Sequence, residues 1–384
     1  MSTLKVNKIE NTATSDGGIA IDSTGHVQLD GVQLPTVGQL SNRNLIINGS
    51  MQVAQRGTST ASVTSSGYHA ADRFHADVTT AGTWTFSQST TSPDEFANSF
   101  KLDCTTAKAS PDAGTILIFN QRVEGFNLQS LKKGTSAAES VTLSFWVRSS
   151  KTGTYIAELR DNDNSRAISK TYSISSANTW EYKTVTFPGD TTGAFGNDNG
   201  LSLYINWWLA AGSNFTSGTL STSWASITNA NRAVGVVNLA DSTDNEWYIT
   251  GIQLEVGEKA TPFEYRSFGD ELAKCQRYYQ QSYAGASATG SNDGAITASC
   301  VGNVNRAFGN VFWANTMRAA PTVTWYSGST GTSAKWRNHS DGADITAAAP
   351  VLAIGISGYG FVLSAGISAI TDTLFAHYDA DAEL

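Results

Sequence analysis

Three stretches of the chain alternate apolar and polar residues with period two, and their polar faces hold the residues best able to do chemistry. In 141–148, Val141, Leu143, Phe145 and Val147 share one side, and Thr142, Ser144, Trp146 and Arg148 the other. In 155–160, Tyr155, Ala157 and Leu159 oppose Ile156, Glu158 and Arg160. In 201–209, Leu201, Leu203, Ile205, Trp207 and Leu209 oppose Ser202, Tyr204, Asn206 and Trp208. A strand sends successive side chains to opposite faces of its sheet, so the first set of each is the core set. The second set joins aromatic rings to planar hydrogen-bonding groups. That mixture suits a sugar, whose apolar ring faces stack on aromatics while its hydroxyls need polar partners. Trp146, Arg148, Glu158, Arg160, Tyr204, Asn206 and Trp208 are therefore the candidate ligand contacts. The same parity is met equally if a loop or a neighbouring subunit covers the rings of Trp146 and Trp208. If the rings are open, Trp208→Ala leaves the fold intact and weakens ligand capture.

Other chemistry is sparse. There is no Gly-x-Ser-x-Gly elbow, phosphate loop or His-Glu-x-x-His motif. His26, His69, His75, His339 and His377 are scattered, and only His69 and His75 lie close, on either side of Asp72-Arg73. Polar surface is the simpler reading of that pair than a metal site. Asp161, Asp163 and Ser165 stand at i, i+2 and i+4, like the start of a calcium loop. Arg166 replaces the glycine such a loop needs at its sixth position, and Tyr172 the glutamate at its twelfth. The segment reads as a hairpin loop. A catalytic carboxylate pair on a glycosidic bond is defined by separation in space, which the sequence leaves open. The expectation is a protein that is not an enzyme, with no metal and no cofactor.

These residues need a sheet framework, and the sequence supplies one. Short apolar runs at 84–86, 100–104, 116–123, 141–148, 155–160, 180–187, 201–209, 233–239 and 247–254 are spaced as in a β-sandwich, most simply a jelly roll. Asn48-Gly49 is a strong turn signal near its start. At its end, the strand pattern of 247–256 stops at Gly257 and Thr261-Pro262. Ser267 and Asp270 then start a helix, with Phe268, Leu272, Cys275 and Tyr279 as its apolar stripe. The predicted fold class is all-β. An extended trimerising segment occupies 1–40, a jelly-roll sandwich 41–266, a linker helix 267–281 and a small β domain 282–384. The first segment has few core residues (Leu4, Val6, Ile9, Ile19, Ile21, Val27, Leu29, Val32, Leu34), too few to bury a core alone. The last is Gly-rich and thin in large aliphatics, so it too is expected to share its core with neighbouring copies.

Charged residues are only 15 % of the 384, and the net charge is −8. An acidic chain without a basic cluster is a poor binder of phosphate backbones, so no nucleic-acid partner is expected. No apolar run approaches the ~20 residues that span a bilayer, which argues against membrane insertion. Met1 leads into polar sequence rather than a signal peptide. Cys104, Cys275 and Cys300 are odd in number and far apart, and Cys104 and Cys275 fall on apolar faces, as small buried residues would.

The opening LKVNKIENTA…GGIAID…GHVQLDG resembles the N-terminal segments of bacteriophage fibres. NLIINGSMQVAQRG (44–57) with Asp72-Arg73-Phe74 resembles the start of a domain of phage structural proteins that is similar to carbohydrate-binding-module jelly rolls. GIQLEVGEKATPFEYRSFGDELAKCQRYY (251–279) resembles its end, and 317–323 resembles the C-terminal part of the same proteins. The resemblance implies a tail fibre or other virion fibre protein, made in the host cytoplasm and located on the virion. It implies contact with host surface polysaccharide or lipopolysaccharide, and a homotrimer fastened to other virion proteins through residues 1–40. A decorating or adaptor fibre without receptor binding is the alternative, and a glycan-cleaving tailspike a third. Related jelly rolls hold calcium through an acid in the closing strand. Thr250 stands at that position, which places calcium in doubt.

Overall fold

The computed structural model describes residues 8–10, 18–21, 27–29, 32–33, 41–283, 295–300, 307–340, 342–346, 351–363 and 373–384. Leu4, Val6 and Leu34 of the expected N-terminal apolar set lie outside them, as does His26. Antiparallel strands dominate, as the all-β reading requires.

The alternating segments form two sheets. One has seven strands in the order Ala225–Ser226, Arg166–Ile174, Gly153–Asp161, Leu201–Ala211, Ile116–Glu124, Phe74–Thr79 and Gly67–Tyr68. The other has six, ordered Glu181–Phe187, Val141–Ser149, Glu246–Val256, Ser99–Thr106, Thr83–Ser89 and Ser59–Val63. The chain passes repeatedly from one sheet to the other, the interleaving of a jelly roll. Between the sheets lies a core that includes Phe74, Trp84, Phe119, Phe145, Tyr155, Trp207, Trp247 and Leu254. The inward set read from parity is all there for 141–148 and 155–160. The strand expected at 233–239 does not form; that stretch turns into the short 3-10 helix Leu239–Asp241.

The NLIING segment is buried although rich in amides, because its side chains complete backbone hydrogen bonds. The Asn44 amide donates to the Ile252 carbonyl at 3.1 Å and its oxygen accepts from Leu254 N at 3.1 Å. Asn48 takes the left-handed conformation, φ 61°, and its amide donates to the Val53 carbonyl at 2.8 Å. Gly49 is required because a Cβ there would stand 2.2 Å from the Ile252 carbonyl oxygen.

The helix Phe268–Gln276 begins as expected, with the Ser267 hydroxyl accepting from Asp270 N. It ends five residues before the predicted 281, and Tyr279–Gln281 becomes a strand. Its buried residues are Glu271 and Cys275, with Tyr278 buried just past its end, whereas Phe268 is exposed. The Glu271 carboxylate accepts the backbone N–H of Asn48, which ties the helix to the start of the sandwich.

The C-terminal unit is organised by its last strand. Thr373–Asp381 pairs with Tyr279–Gln281, Ile296–Cys300, Thr322–Tyr326 and Trp336–Asn338. This unit does not lack a core of its own: Trp313, Trp325, Trp336, Tyr359, Phe361 and Tyr378 supply it. Aromatics replace the missing aliphatics, so the ground for a shared core is absent here. Past this strand the chain returns to the sandwich. The Glu383 carboxylate pairs with Arg73 and, at 3.3 Å, with Arg56, while Ala382 N donates to the Tyr278 carbonyl at 2.8 Å.

Near the N-terminus, Lys8–Glu10, Gly18–Ile21, Val27–Leu29 and Val32–Gln33 form a four-stranded antiparallel meander. Its register aligns Ile9, Ile19, Leu29 and Val32 in one row.

Candidate functional site

The seven residues selected by parity do not form one patch. Trp146 and Arg148 lie on the six-stranded sheet, whereas Glu158, Arg160, Tyr204, Asn206 and Trp208 lie on the seven-stranded one. All point away from the shared core, so the two groups occupy opposite faces of the sandwich. Consecutive strands 141–149 and 153–161 go to different sheets, and parity within a strand carries no information on that.

On the seven-stranded sheet, cross-strand partners bring Glu158 beside Asn206. Glu158 is fully buried and accepts from Arg232 Nε at 2.7 Å, Arg232 Nη2 at 2.8 Å, Asn206 Nδ2 at 2.7 Å and Trp208 Nε1 at 3.1 Å. The segment from Gly212 to Val237 lies over these residues, and its Phe215 and Ala233 join Ile118, Ile156 and Trp208 in a small apolar cluster. Trp208 is therefore core on the outer side of its sheet, and Trp208→Ala would open a cavity there rather than leave the fold untouched. Glu158, Asn206 and Trp208 offer no surface to a ligand. Arg160 and Tyr204 stay partly exposed, with the guanidinium 4.7 Å from the ring centroid, and Arg122 approaches the same ring at 5.3 Å. His75 faces Asp77 at 3.3 Å, but burial and then the charge of Arg122 push its pKa down to about 3, so it is neutral.

The six-stranded sheet presents a different surface. Trp146 and Tyr182 are cross-strand partners with ring centroids 5.3 Å apart, and Tyr182 is 44 % exposed. On the next row Arg148 pairs with Tyr248, its guanidinium 4.8 Å from that ring, and Trp180 meets Tyr248 edge-on at 6.2 Å. On the other side of Trp146, Phe96 stacks on Tyr265 at 5.7 Å and meets Phe263 edge-on at 5.1 Å. Gly251 makes this continuity available. Its φ is 59°, and a Cβ would stand 2.6 Å from Phe96 Cζ and 3.1 Å from Trp146 Cδ1. Both rings settle onto bare backbone. Polar groups frame the row: Lys101 pairs with Glu246 at 2.6 Å, and the Tyr248 hydroxyl donates to Glu246 at 2.8 Å. Burial raises the Tyr182 pKa, so its hydroxyl is a neutral donor and acceptor at pH 7.

Sequence reasoning named only Trp146 and Arg148 of this face. Tyr182 and Tyr248 carried a signal, since each alternates with core residues (Val185 and Phe187; Trp247 and Ile249). Phe96, Phe263 and Tyr265 sit outside strands and carried none.

Among the described residues no group of three or more His, Cys, Asp or Glu side chains converges to hold a metal. The acids of the calcium-like loop have other tasks. Asp161 pairs with Lys133 at 2.6 Å, and Asp163 accepts from Gly196 N at 2.8 Å. The Thr250 hydroxyl donates to the Asn98 carbonyl at 2.7 Å.

No family model matches the chain, and no curated relative matches it. Solved structures are similar to it. The enzymatically active domain of tailspike protein 4 of bacteriophage CBA120 is 18 % identical over 56 % of this chain, with a TM-score of 0.29. The match takes in 22 % of that tailspike chain. The CBM22-1 xylan-binding domain of Paenibacillus barcinonensis Xyn10C is 9 % identical over 59 % of this chain and 100 % of its own, with a TM-score of 0.27. The family 11 carbohydrate-binding module of Clostridium thermocellum Lic26A-Cel5E is 10 % identical over 56 % of this chain and 96 % of its own, with a TM-score of 0.25.

Proposed function

We propose that this chain is the subunit of a homotrimeric bacteriophage fibre whose sandwich holds a host surface glycan on the outer face of its six-stranded sheet. The observation that carries the glycan reading is the Trp146–Tyr182 pair, two adjoining rings on a strand face with Arg148, Tyr248 and Glu246 beside them. Sugar rings stack on such surfaces, and the flanking charges and hydroxyls match sugar hydroxyls. The binding is non-catalytic in this reading. Titration of the protein with fragments of host polysaccharide or lipopolysaccharide tests it. Trp146→Ala and Tyr182→Ala should each weaken binding about tenfold, the scale of one lost stacking contact with its buried area. Unchanged affinity in both refutes the face.

The trimer and its fastening through residues 1–40 rest on the N-terminal meander. Ile9, Ile19 and Ile21 share one face and are 56 %, 43 % and 46 % exposed. A small sheet with an open isoleucine face is completed by copies of itself about one axis. Three sites on one axis would raise avidity by ~10²–10⁴ where geometry permits simultaneous contact. Light scattering should give about three times the 40.7 kDa chain mass, and the single-chain mass at micromolar concentration would refute the trimer.

A further inference from the structure

A cleft of about 620 Å³ opens between the segment after Asn42, the 3-10 helix Gly125–Leu131 and the helix Phe268–Gln276. None of the rings of the six-stranded face lines it. Its volume lies within the ~300–1,000 Å³ of small-molecule sites. Its wall holds four cations, Arg43, Lys132, Arg266 and Lys274, with the carboxylates Glu139 and Glu255, and Glu264 and Glu271 stand behind it, paired to Arg266 at 3.3 and 3.5 Å.

Part of that charge is committed. Lys132 pairs with Glu139 at 2.5 Å, and Arg43 lies 3.7 Å from Glu255. Two donors are left over. Lys274, in the last turn of its helix, has no ion-pair partner among the described residues. Arg266 Nε is buried with no hydrogen-bond partner, although the rest of the guanidinium is fixed by the Asn44 carbonyl, by the Ile46 carbonyl at 2.9 Å, and by Glu264 and Glu271 at 3.3 and 3.5 Å. A buried donor on a fixed cation is costly unless something accepts from it. Beside these groups Phe126 keeps 52 % of its surface exposed at the mouth of the cleft, where no core needs it.

We propose that this cleft is a second ligand site, for a sugar unit bearing a carboxylate. The anion answers Lys274 and accepts from the orphaned Arg266 Nε, and Phe126 supplies the ring face that a bare anion would not use. The test is calorimetric titration of the full chain with digalacturonate, with the neutral digalactose and inorganic phosphate as separate arms. Digalacturonate should bind, digalactose about tenfold or more weakly, and phosphate should not displace the acid sugar. Lys274→Gln, at a half-buried position, and Phe126→Ala, at an exposed one, should each lower digalacturonate affinity about tenfold, while Trp146→Ala leaves it unchanged. Loss of binding in Trp146→Ala assigns the ligand to the six-stranded face and overturns the cleft. So do equal affinity for the acid and neutral sugars, displacement by phosphate, wild-type affinity in both cleft variants, or no binding at millimolar digalacturonate.

Discussion

Glu158→Ala is expected to lower the unfolding free energy by about 3–5 kcal/mol, the usual cost of removing one partner of a buried ion pair. The carboxylate is the acceptor for Arg232, Asn206 and the Trp208 indole at once. Without it, a guanidinium and two neutral donors are stranded beneath the segment that covers the seven-stranded sheet. Glu158→Gln keeps the shape and one acceptor but removes the charge, so its loss should be smaller. Urea denaturation followed by tryptophan fluorescence reads both. Wild-type stability in Glu158→Ala would mean that the segment at 212–237 moves aside easily, and would return Glu158, Asn206 and Trp208 to the set of surface groups.

That cluster also shows what the sequence could and could not convey. The inward set of each strand is legible because burial on one face imposes period two, and Phe145, Tyr155, Trp207 and Leu209 are all core. The outward set is legible only as a parity. Whether Trp208 meets solvent depends on Phe215 and Ala233, which come from a segment with no periodic pattern of its own. Which strands share a sheet depends on pairings between residues far apart in the chain, so Trp146 and Trp208 look like neighbours and are not. The helix repeats the lesson in small. Its start follows from Ser267, but its buried face includes Glu271, because the Asn48 backbone N–H needs an acceptor there. An apolar-stripe reading selects Phe268 instead, which is exposed.

The second large effect is expected at the other end of the molecule. Glu383→Ala should also cost about 3–5 kcal/mol, since it leaves the Arg73 guanidinium buried without its carboxylate. Arg73 has other contacts, but none of them is a carboxylate. Its guanidinium stacks on Tyr278, 3.4 Å from the ring centroid, and donates to the Arg122 carbonyl at 2.7 Å. It has no route to solvent by which to recover hydration. Because the C-terminal sheet and the sandwich meet through this pair, the loss should appear as faster amide hydrogen exchange at Tyr278 and Ala382 as well as a lower denaturation midpoint. Addition of 1 M salt should change the wild-type protein little, as buried pairs are weakly screened. Unaltered exchange and midpoint would show that the units are held without it, by Arg56 on Asp381 at 3.0 Å and by Arg318, which donates to the Asn199 and Ala382 carbonyls at 2.7 and 2.8 Å.

The position of Thr373–Asp381 has a consequence in time. As the chain leaves the ribosome, the sandwich has all its strands once Glu246–Val256 has emerged. The strands Tyr279–Gln281, Ile296–Cys300, Thr322–Tyr326 and Trp336–Asn338 appear next, each before the partner it is built against. Until the last nine-residue strand is made, their edges are open to pairing with any other chain nearby. Synthesis therefore separates the molecule into an early-folding half and a half that waits. A ribosome stalled shortly before residue 373 would hold a chain whose sandwich strands are all made while Tyr279–Gln281 and Thr322–Tyr326 still lack the strand they pair with.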